Sequence, residues 1–319
     1  MLAKSTAALT LAILCSGQGP QDADMFRLTA RAPEAADLFG HAASLLGNGD
    51  PRELVEHGSE EALHENRVGQ ILCTLQPLAA AAALRGDLPD RFMVAGYSVG
   101  ELAAWGVAKF LAGPTTLNLA ARRAELMDAQ SRPGDGLVFV RGLSRAVIDE
   151  LCQRCDAALA IVNPGNAYVI GGRAYALNAL MEAARGQGAD RVRRLHINVA
   201  SHTRFLAAAS AAFRTAIADV PVSAAPVGSI RLFSGLDGAV IVNVQSAKDQ
   251  LALQISQPLQ WSTCLESCVE AGASHFLELG PGRALSEMVA GAYPLLPARS
   301  LSDFKTRSGV GSWLARMAN

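Results

Sequence analysis

Phe92-Met93-Val94-Ala95-Gly96-Tyr97-Ser98-Val99-Gly100-Glu101-Leu102-Ala103-Ala104-Trp105 is the stretch on which the reading of this chain turns. Phe92 to Ala95 form a short apolar run of strand type, and the residues after Gly100 follow a helical pattern. A glycine two residues either side of Ser98 is what a strand needs to reverse sharply into a helix and lift a hydroxyl to the tip of the turn. Ser98 is therefore the candidate nucleophile. The turn specifies a chemistry shared by many hydrolases and acyl transferases, without a substrate.

Working outward, strand-like apolar runs alternate with Ala/Leu-rich helical patterns, the signature of an α/β fold with a largely parallel sheet. Leu9 to Cys15 reads as the first buried strand. Helices are expected at 33–46, 68–86, 100–109 and 115–130. Ser131-Arg132-Pro133-Gly134-Asp135-Gly136 breaks the pattern. Beyond it the rhythm becomes strand 137–141, helix 144–155, strand 157–163, strand 167–171, helix 174–186 and strand 191–197. That βαββαβ order predicts an inserted ferredoxin-like small subdomain, 133–198. The large α/β domain is then discontinuous, 1–132 and 199–319, with further helices at 203–219 and 260–271 and strands at 230–234 and 275–279.

At 319 residues, half of them apolar and 18% charged, the chain has ample material for such a core and does not read as disordered. The 28 basic and 29 acidic side chains nearly cancel, so no global field favours nucleic acid or an anionic membrane. The apolar stretch from Ala7 to Cys15 follows Lys4 as a secretory signal would, but it lacks a small-x-small cleavage site and runs into Gly17-Gln18-Gly19. No apolar run approaches the roughly 20 residues of a membrane span. The six cysteines are scattered, and Cys152-Gln153-Arg154-Cys155 lacks a second pair to complete a metal site. The expectation is a reduced, cytoplasmic protein with neither metal nor bound cofactor.

A serine hydroxyl attacks only when a base takes its proton, and histidine is the usual base near neutral pH. Of the six histidines, His41, His57 and His64 lie in polar, helix-like segments and read as surface residues. His196 falls within the expected strand 191–197 and His275 opens an apolar strand. His202, in Ala200-Ser201-His202-Thr203, stands at a strand-to-helix junction, where open α/β sheets collect catalytic groups. It is the preferred base.

Taken in order, Gly17-Gln18-Gly19, Gly96-Tyr97-Ser98-Val99-Gly100-Glu101, Arg123-Ala124, Ser201-His202, Gln260-Trp261 and Gly280-Pro281-Gly282 resemble the malonyl-CoA:acyl-carrier-protein transacylase family, which includes the acyltransferase domains of polyketide and fatty acid synthases. The resemblance spans nearly the whole chain and implies an α/β-hydrolase-like large domain. It also implies transfer of a malonyl group from malonyl-CoA to the phosphopantetheine-type thiol of an acyl carrier protein, through an acylated Ser98. By the same resemblance His202 is base and then acid, and Gln260 orients its imidazole chiefly through the main-chain carbonyl. The backbone N–H groups of Gln18 and Val99 would form the oxyanion hole, each donor contributing on the order of 3 kcal/mol. Arg123 would grip the malonyl carboxylate, and Gln18, Asn163 and Ser201 would face the substrate. Arg191, Arg193 and Arg194 are candidates for meeting an acidic carrier protein.

Three departures bear on specificity. Tyr97 stands where the family usually has histidine, Ala124 where it has glycine, and the small Ser201 leaves room for an α-alkyl malonyl group beside malonyl. Neighbouring readings are an acyltransferase subunit of malonate decarboxylase and a trans-acting polyketide synthase acyltransferase. A more distant one is an α/β-hydrolase-type serine esterase, which needs an acid between nucleophile and histidine and a histidine nearer the C-terminus, such as His275.

Overall fold

The computed structural model describes residues 10–223 and 230–318. Its strands are β1 (Thr10–Cys15), β2 (Phe92–Gly96), β3 (Gly136–Arg141), β4 (Ala158–Asn163), β5 (Ala167–Gly172), β6 (Arg191–Arg194), β7 (Ile230–Phe233), β8 (Ala273–Glu278) and β9 (Ala298–Ser300). They fall into two sheets. Strands β1 and β2 are apolar without alternation and buried along almost their whole length. Such runs must be covered on both faces, which parallel strands joined by helical crossovers achieve. The larger sheet accordingly has the order β7-β2-β1-β8-β9, with every pairing parallel. One face packs Leu11, Ile13 and Val94 against Ile71, Leu75 and Trp105; the other packs Leu14, Met93 and Ala95 against Trp261 and Leu265. Each fully buried Leu or Ile contributes about 1.5–3 kcal/mol relative to exposure.

The smaller sheet, β4-β5-β3-β6, is antiparallel throughout. Here the side chains alternate. Val138, Val140 and Ile170 face the helices Arg145–Cys155 and Ala174–Gly186, whose Ile148, Leu151, Leu177 and Leu180 complete that core. Leu137, Ile161 and Val169 point the other way and join the cluster around Trp261. With a period of two, each strand thus serves its own helices with one set of residues and the parallel-sheet lobe with the other. Leu259 stitches the lobes by main-chain bonds to Ala160 and Val162.

Several expected elements differ at their edges. The strand expected over 191–197 stops at Arg194, so His196 lies beyond it. The start of the first strand at Leu9 lies outside the described residues. The helices Pro51–His57, Glu60–His64, Val244–Leu253, Ala284–Ala292 and Arg307–Ala318 add to those expected. None of the helices among the described residues is long and apolar enough to cross a membrane.

Candidate active site

The turn after β2 is as tight as its glycines allow. A Cβ on Gly96 would sit 2.2 Å from the Gly100 carbonyl oxygen, and one on Gly100 would sit 2.1 Å from that of Cys15. Both contacts are with backbone, so no side chain can yield. Between them Ser98 takes φ 58°, the left-handed region that costs a non-glycine residue on the order of 1 kcal/mol. Its hydroxyl opens into a cavity of ≈ 610 Å³ between the two sheets, lined also by Gln18, Tyr97, Asn163, Ser201 and His202.

His202 is fully buried and likewise holds a positive φ, 61°. Its Nε2 lies 2.8 Å from Ser98 Oγ and its Nδ1 2.5 Å from the main-chain oxygen of Gln254. A carbonyl only accepts, so Nδ1 carries the proton and Nε2 turns its lone pair to the hydroxyl. Burial first, then the charge of Arg123, pushes the imidazole down from 6.5 to about 3, against the opposing pull of the Gln254 bond. At neutral pH His202 is therefore an uncharged base already hydrogen-bonded to its hydroxyl.

The histidine-orienting residue expected at Gln260 is corrected to Gln254. Gln260 caps the helix Trp261–Glu270, where its carbonyl accepts from the Cys264 N–H and its own N–H donates to Gly235. Its main chain is committed to that helix start. Gln254 follows the helix Val244–Leu253, is fully buried, and joins four groups. Beyond its carbonyl, its Nε2 donates to Glu101 Oε2 at 2.7 Å and to the Ser98 carbonyl at 3.0 Å, while its Oε1 accepts from Arg123 Nη2 at 3.1 Å. One side chain thus ties nucleophile turn, acid and guanidinium together. Reading along the sequence missed it. The sequence marks only the helix that precedes it: Asn243 Oδ1 accepts from the N–H groups of Gln245 and Ser246 and starts a helix whose buried face includes Ala247, Leu251 and Ala252.

Arg123 is 1% exposed and does not line the cavity. Its other partner is Gln70 Oε1, 2.8 Å from Nη1. Both hydrogen-bond partners are neutral amides, and the nearby carboxylate of Glu101 acts on it through space. Burial lowers the guanidinium to about 10, with Glu101 opposing, and raises Glu101 to about 7, chiefly by desolvation. Arg123 and Glu101 are thus buried beneath the cavity with few partners, a costly arrangement of the kind that functional sites retain.

The remaining expected residues come together as follows. Among the described residues the backbone N–H groups of Gln18 and Val99 donate to no protein acceptor; Val99 follows Ser98 in the turn, and Gln18 lines the same cavity as Ser98. Gly17 lets the Gln18 loop approach, since a Cβ there would lie 2.7 Å from the Tyr97 carbonyl oxygen. Asn163, at the end of β4, is 3% exposed, and its amide faces the Tyr97 hydroxyl without a well-formed hydrogen bond to any protein group. Ser201 borders the cavity beside His202. Tyr97 packs edge-on against Trp261, ring centroids 5.3 Å apart. His275 packs edge-to-face against Trp313 and sits outside the cavity. The Gly280-Pro281-Gly282 turn is structural here: Glu278 occupies the start of the helix Ala284–Ala292 by accepting from the Leu285 and Ser286 N–H groups.

Residues 13–281 match the acyl transferase domain family. The malonyl CoA-acyl carrier protein transacylase of Mycobacterium tuberculosis is 31% identical over 300 residues, 92% of this chain and 96% of that protein. The structure of the malonyl CoA-acyl carrier protein transacylase from Coxiella burnetii superposes with a TM-score of 0.90 at 22% identity, covering 98% of this chain and 99% of that one. A malonyl-transacylase solved with a type II polyketide synthase acyl-carrier protein has a TM-score of 0.85 at 24% identity, with 92% and 96% covered.

Proposed function

We propose, from the premise that this chain belongs to the acyl transferase domain family, that it moves a malonyl group from malonyl-CoA to the phosphopantetheine-type thiol of an acyl carrier protein. The observation that carries the reading is the Ser98 Oγ to His202 Nε2 contact of 2.8 Å, backed by Nδ1–H on a carbonyl. Ser98 Oγ attacks the thioester carbonyl as its proton passes to Nε2. The N–H groups of Gln18 and Val99 stabilise the oxyanion, which collapses to acyl-Ser98 while His202 returns the proton to the departing CoA thiolate. In the second half-reaction the carrier thiol attacks the ester, His202 takes its proton, and Ser98 leaves with that proton. A carbonyl behind the imidazole, in place of a carboxylate, supports the transferase over an esterase of Ser-His-Asp type.

Arg123 selects the acyl group in this reading. A malonyl carboxylate replacing one of its neutral amide partners exchanges an ordinary hydrogen bond for a charge-assisted one. An acetyl group has nothing to offer it. Asn163 and Ser201, which line the cavity, would border the thioester arm. Of the three arginines of β6, the exposed Arg191 and Arg193 would face an acidic carrier protein, whereas Arg194 is bound to the Gly134 and Asp135 carbonyls; likeness of fold to a transacylase solved with its carrier supports this. We read the lobes as an α/β-hydrolase-like domain of residues 1–132 and 199–319 and a ferredoxin-like subdomain of 133–198, on the strand orders given above. A cytoplasmic setting belongs to the same proposal, supported by six free cysteines, and the transfer as written calls for no resident cofactor.

Brief exposure to malonyl-CoA followed by intact-mass spectrometry tests the reading. The expected result is a gain of one malonyl group that Ser98→Ala abolishes and that a holo carrier protein discharges. Labelling by acetyl-CoA with none by malonyl-CoA overturns the assignment of the donor.

A further inference from the structure

On the rim of the same cavity, away from the acylation machinery, Glu60, His64 and His196 converge from two lobes. Their ligand-capable atoms lie within 4.8 Å of one another. Glu60 and His64 are one helical turn apart on the helix Glu60–His64 of the parallel-sheet lobe, and His196 follows β6 of the antiparallel sheet. Glu60 and His196 are exposed, His64 half-buried. The 3.0 Å between His196 Nδ1 and Glu60 Oε1 is near the roughly 3.3 Å edge of a tetrahedron built on bonds of about 2.0–2.1 Å.

The surroundings of His64 point independently to a cation. Both of its ring nitrogens face main-chain carbonyl oxygens, Nδ1 that of Glu60 at 2.8 Å and Nε2 that of Gly19 at 3.3 Å. A neutral imidazole has one proton, and the shorter contact claims it. That leaves the Nε2 lone pair opposite a carbonyl lone pair, an arrangement a cation between them relieves. Nδ1–H donated to a backbone carbonyl is also the bond that orients a metal-binding imidazole and fixes its tautomer.

We propose that Glu60, His64 and His196 bind a divalent late transition metal, with Zn²⁺ the representative ion, and that the bound ion clasps the two lobes and obstructs thioester entry. Two imidazoles and one carboxylate suit zinc and its neighbours, and exclude magnesium as the preferred ion, because it demands oxygen ligands. All three residues line the cavity that holds Ser98 and His202, so an ion there stands in the path of the pantetheine arm. The metal site stands on its own geometry; its inhibitory effect rests on the transferase reading.

Zinc chloride is titrated into the full-length protein by calorimetry, with transfer from malonyl-CoA measured in parallel. The expected result is one site, an affinity about tenfold or more weaker in His196→Ala and Glu60→Gln, and reversible inhibition that EDTA relieves. His196 is exposed, so His196→Ala should fold, retain its zinc-free transfer rate and resist zinc. Co²⁺ substitution should give visible absorption bands that the same variant loses. Unchanged zinc binding in both variants, or none in the wild type, overturns the site. Binding without inhibition overturns the clasp. A wild type that binds zinc but never acylates Ser98 without metal would refute the transferase reading and leave the site intact.

Discussion

Ser98 and His202 meet at 2.8 Å, yet they are held there by opposite means. The serine is fixed chiefly by its own turn: Gly96 and Gly100 let the backbone pass where a Cβ would strike the carbonyl oxygens of Gly100 and Cys15, and the turn follows directly from β2, an interior strand paired with β1 and β7. The histidine is fixed by a distant segment. Its N–H is taken by Ile255 and its Nδ1–H by Gln254, residues more than 50 positions away, and Gln254 also reaches Glu101 and Arg123. Both halves hold a positive φ, but the serine owes its place first to a tight turn of consecutive residues and the histidine to a tertiary network. A local constraint fails when its backbone cannot be made; a network fails in proportion to the member removed.

That contrast orders the expected effects. Ser98→Ala should lower acyl transfer by on the order of 10⁴-fold or more, read by the discharge of labelled malonyl-CoA, with the fold intact by circular dichroism. Gly100→Ala should cost about 4 kcal/mol or prevent folding, because its Cβ meets backbone; a urea midpoint within error of the wild type would break the account of the elbow. Arg123→Ala should reduce malonyl transfer on the order of 10² more than acetyl transfer. Equal losses for both donors would remove Arg123 from acyl selection.

The pH response sharpens the same comparison. His202 is depressed in the folded state, so its contribution to stability is whole above about 6.5 and erodes as pH falls toward about 3. Glu101 and Glu278 have the opposite sign, for their raised carboxyls stabilise the fold below 4.5 and lose that contribution as pH rises through about 7. The urea stability of the wild type relative to His202→Gln should therefore shrink by up to about 1.4 kcal/mol per pH unit below 6.5. A difference that stays flat would contradict burial of a neutral imidazole. The smallest effect is expected of Gln260→Ala, within about 0.5 kcal/mol in activation free energy, since the side chain of Gln260 makes no hydrogen bond among the described residues and its main chain serves the helix start. A large loss in that variant would return the orienting role to Gln260.

The same division explains what could be read along the chain. The Gly96 to Gly100 turn, the unbroken apolar strands and the βαββαβ rhythm are written in consecutive residues, and the structure has them at nearly the expected limits. His202 was reachable because it ends a strand-like run. Gln254 was not, because its place comes from packing of the helix Val244–Leu253 beside the helix Ala207–Ala218, where Ser210 bonds to Ala252. Neither glutamine carries a local mark of its partner. His196 was misplaced for a related reason: the alternating pattern of 191–197 continues beyond Arg194, but after it the chain leaves the edge of the sheet to cross to the other lobe. The meeting of His196 with Glu60 belongs to that crossing.

Nitrogen NMR of histidine-labelled protein observes the state of His202 itself. The account predicts one imidazole, absent from the His202→Gln spectrum, that keeps Nδ1 protonated and Nε2 bare as the pH is lowered from about 8 to about 5. An imidazole at this position protonated on Nε2, or one that titrates near 6.5 like an exposed histidine, would contradict it.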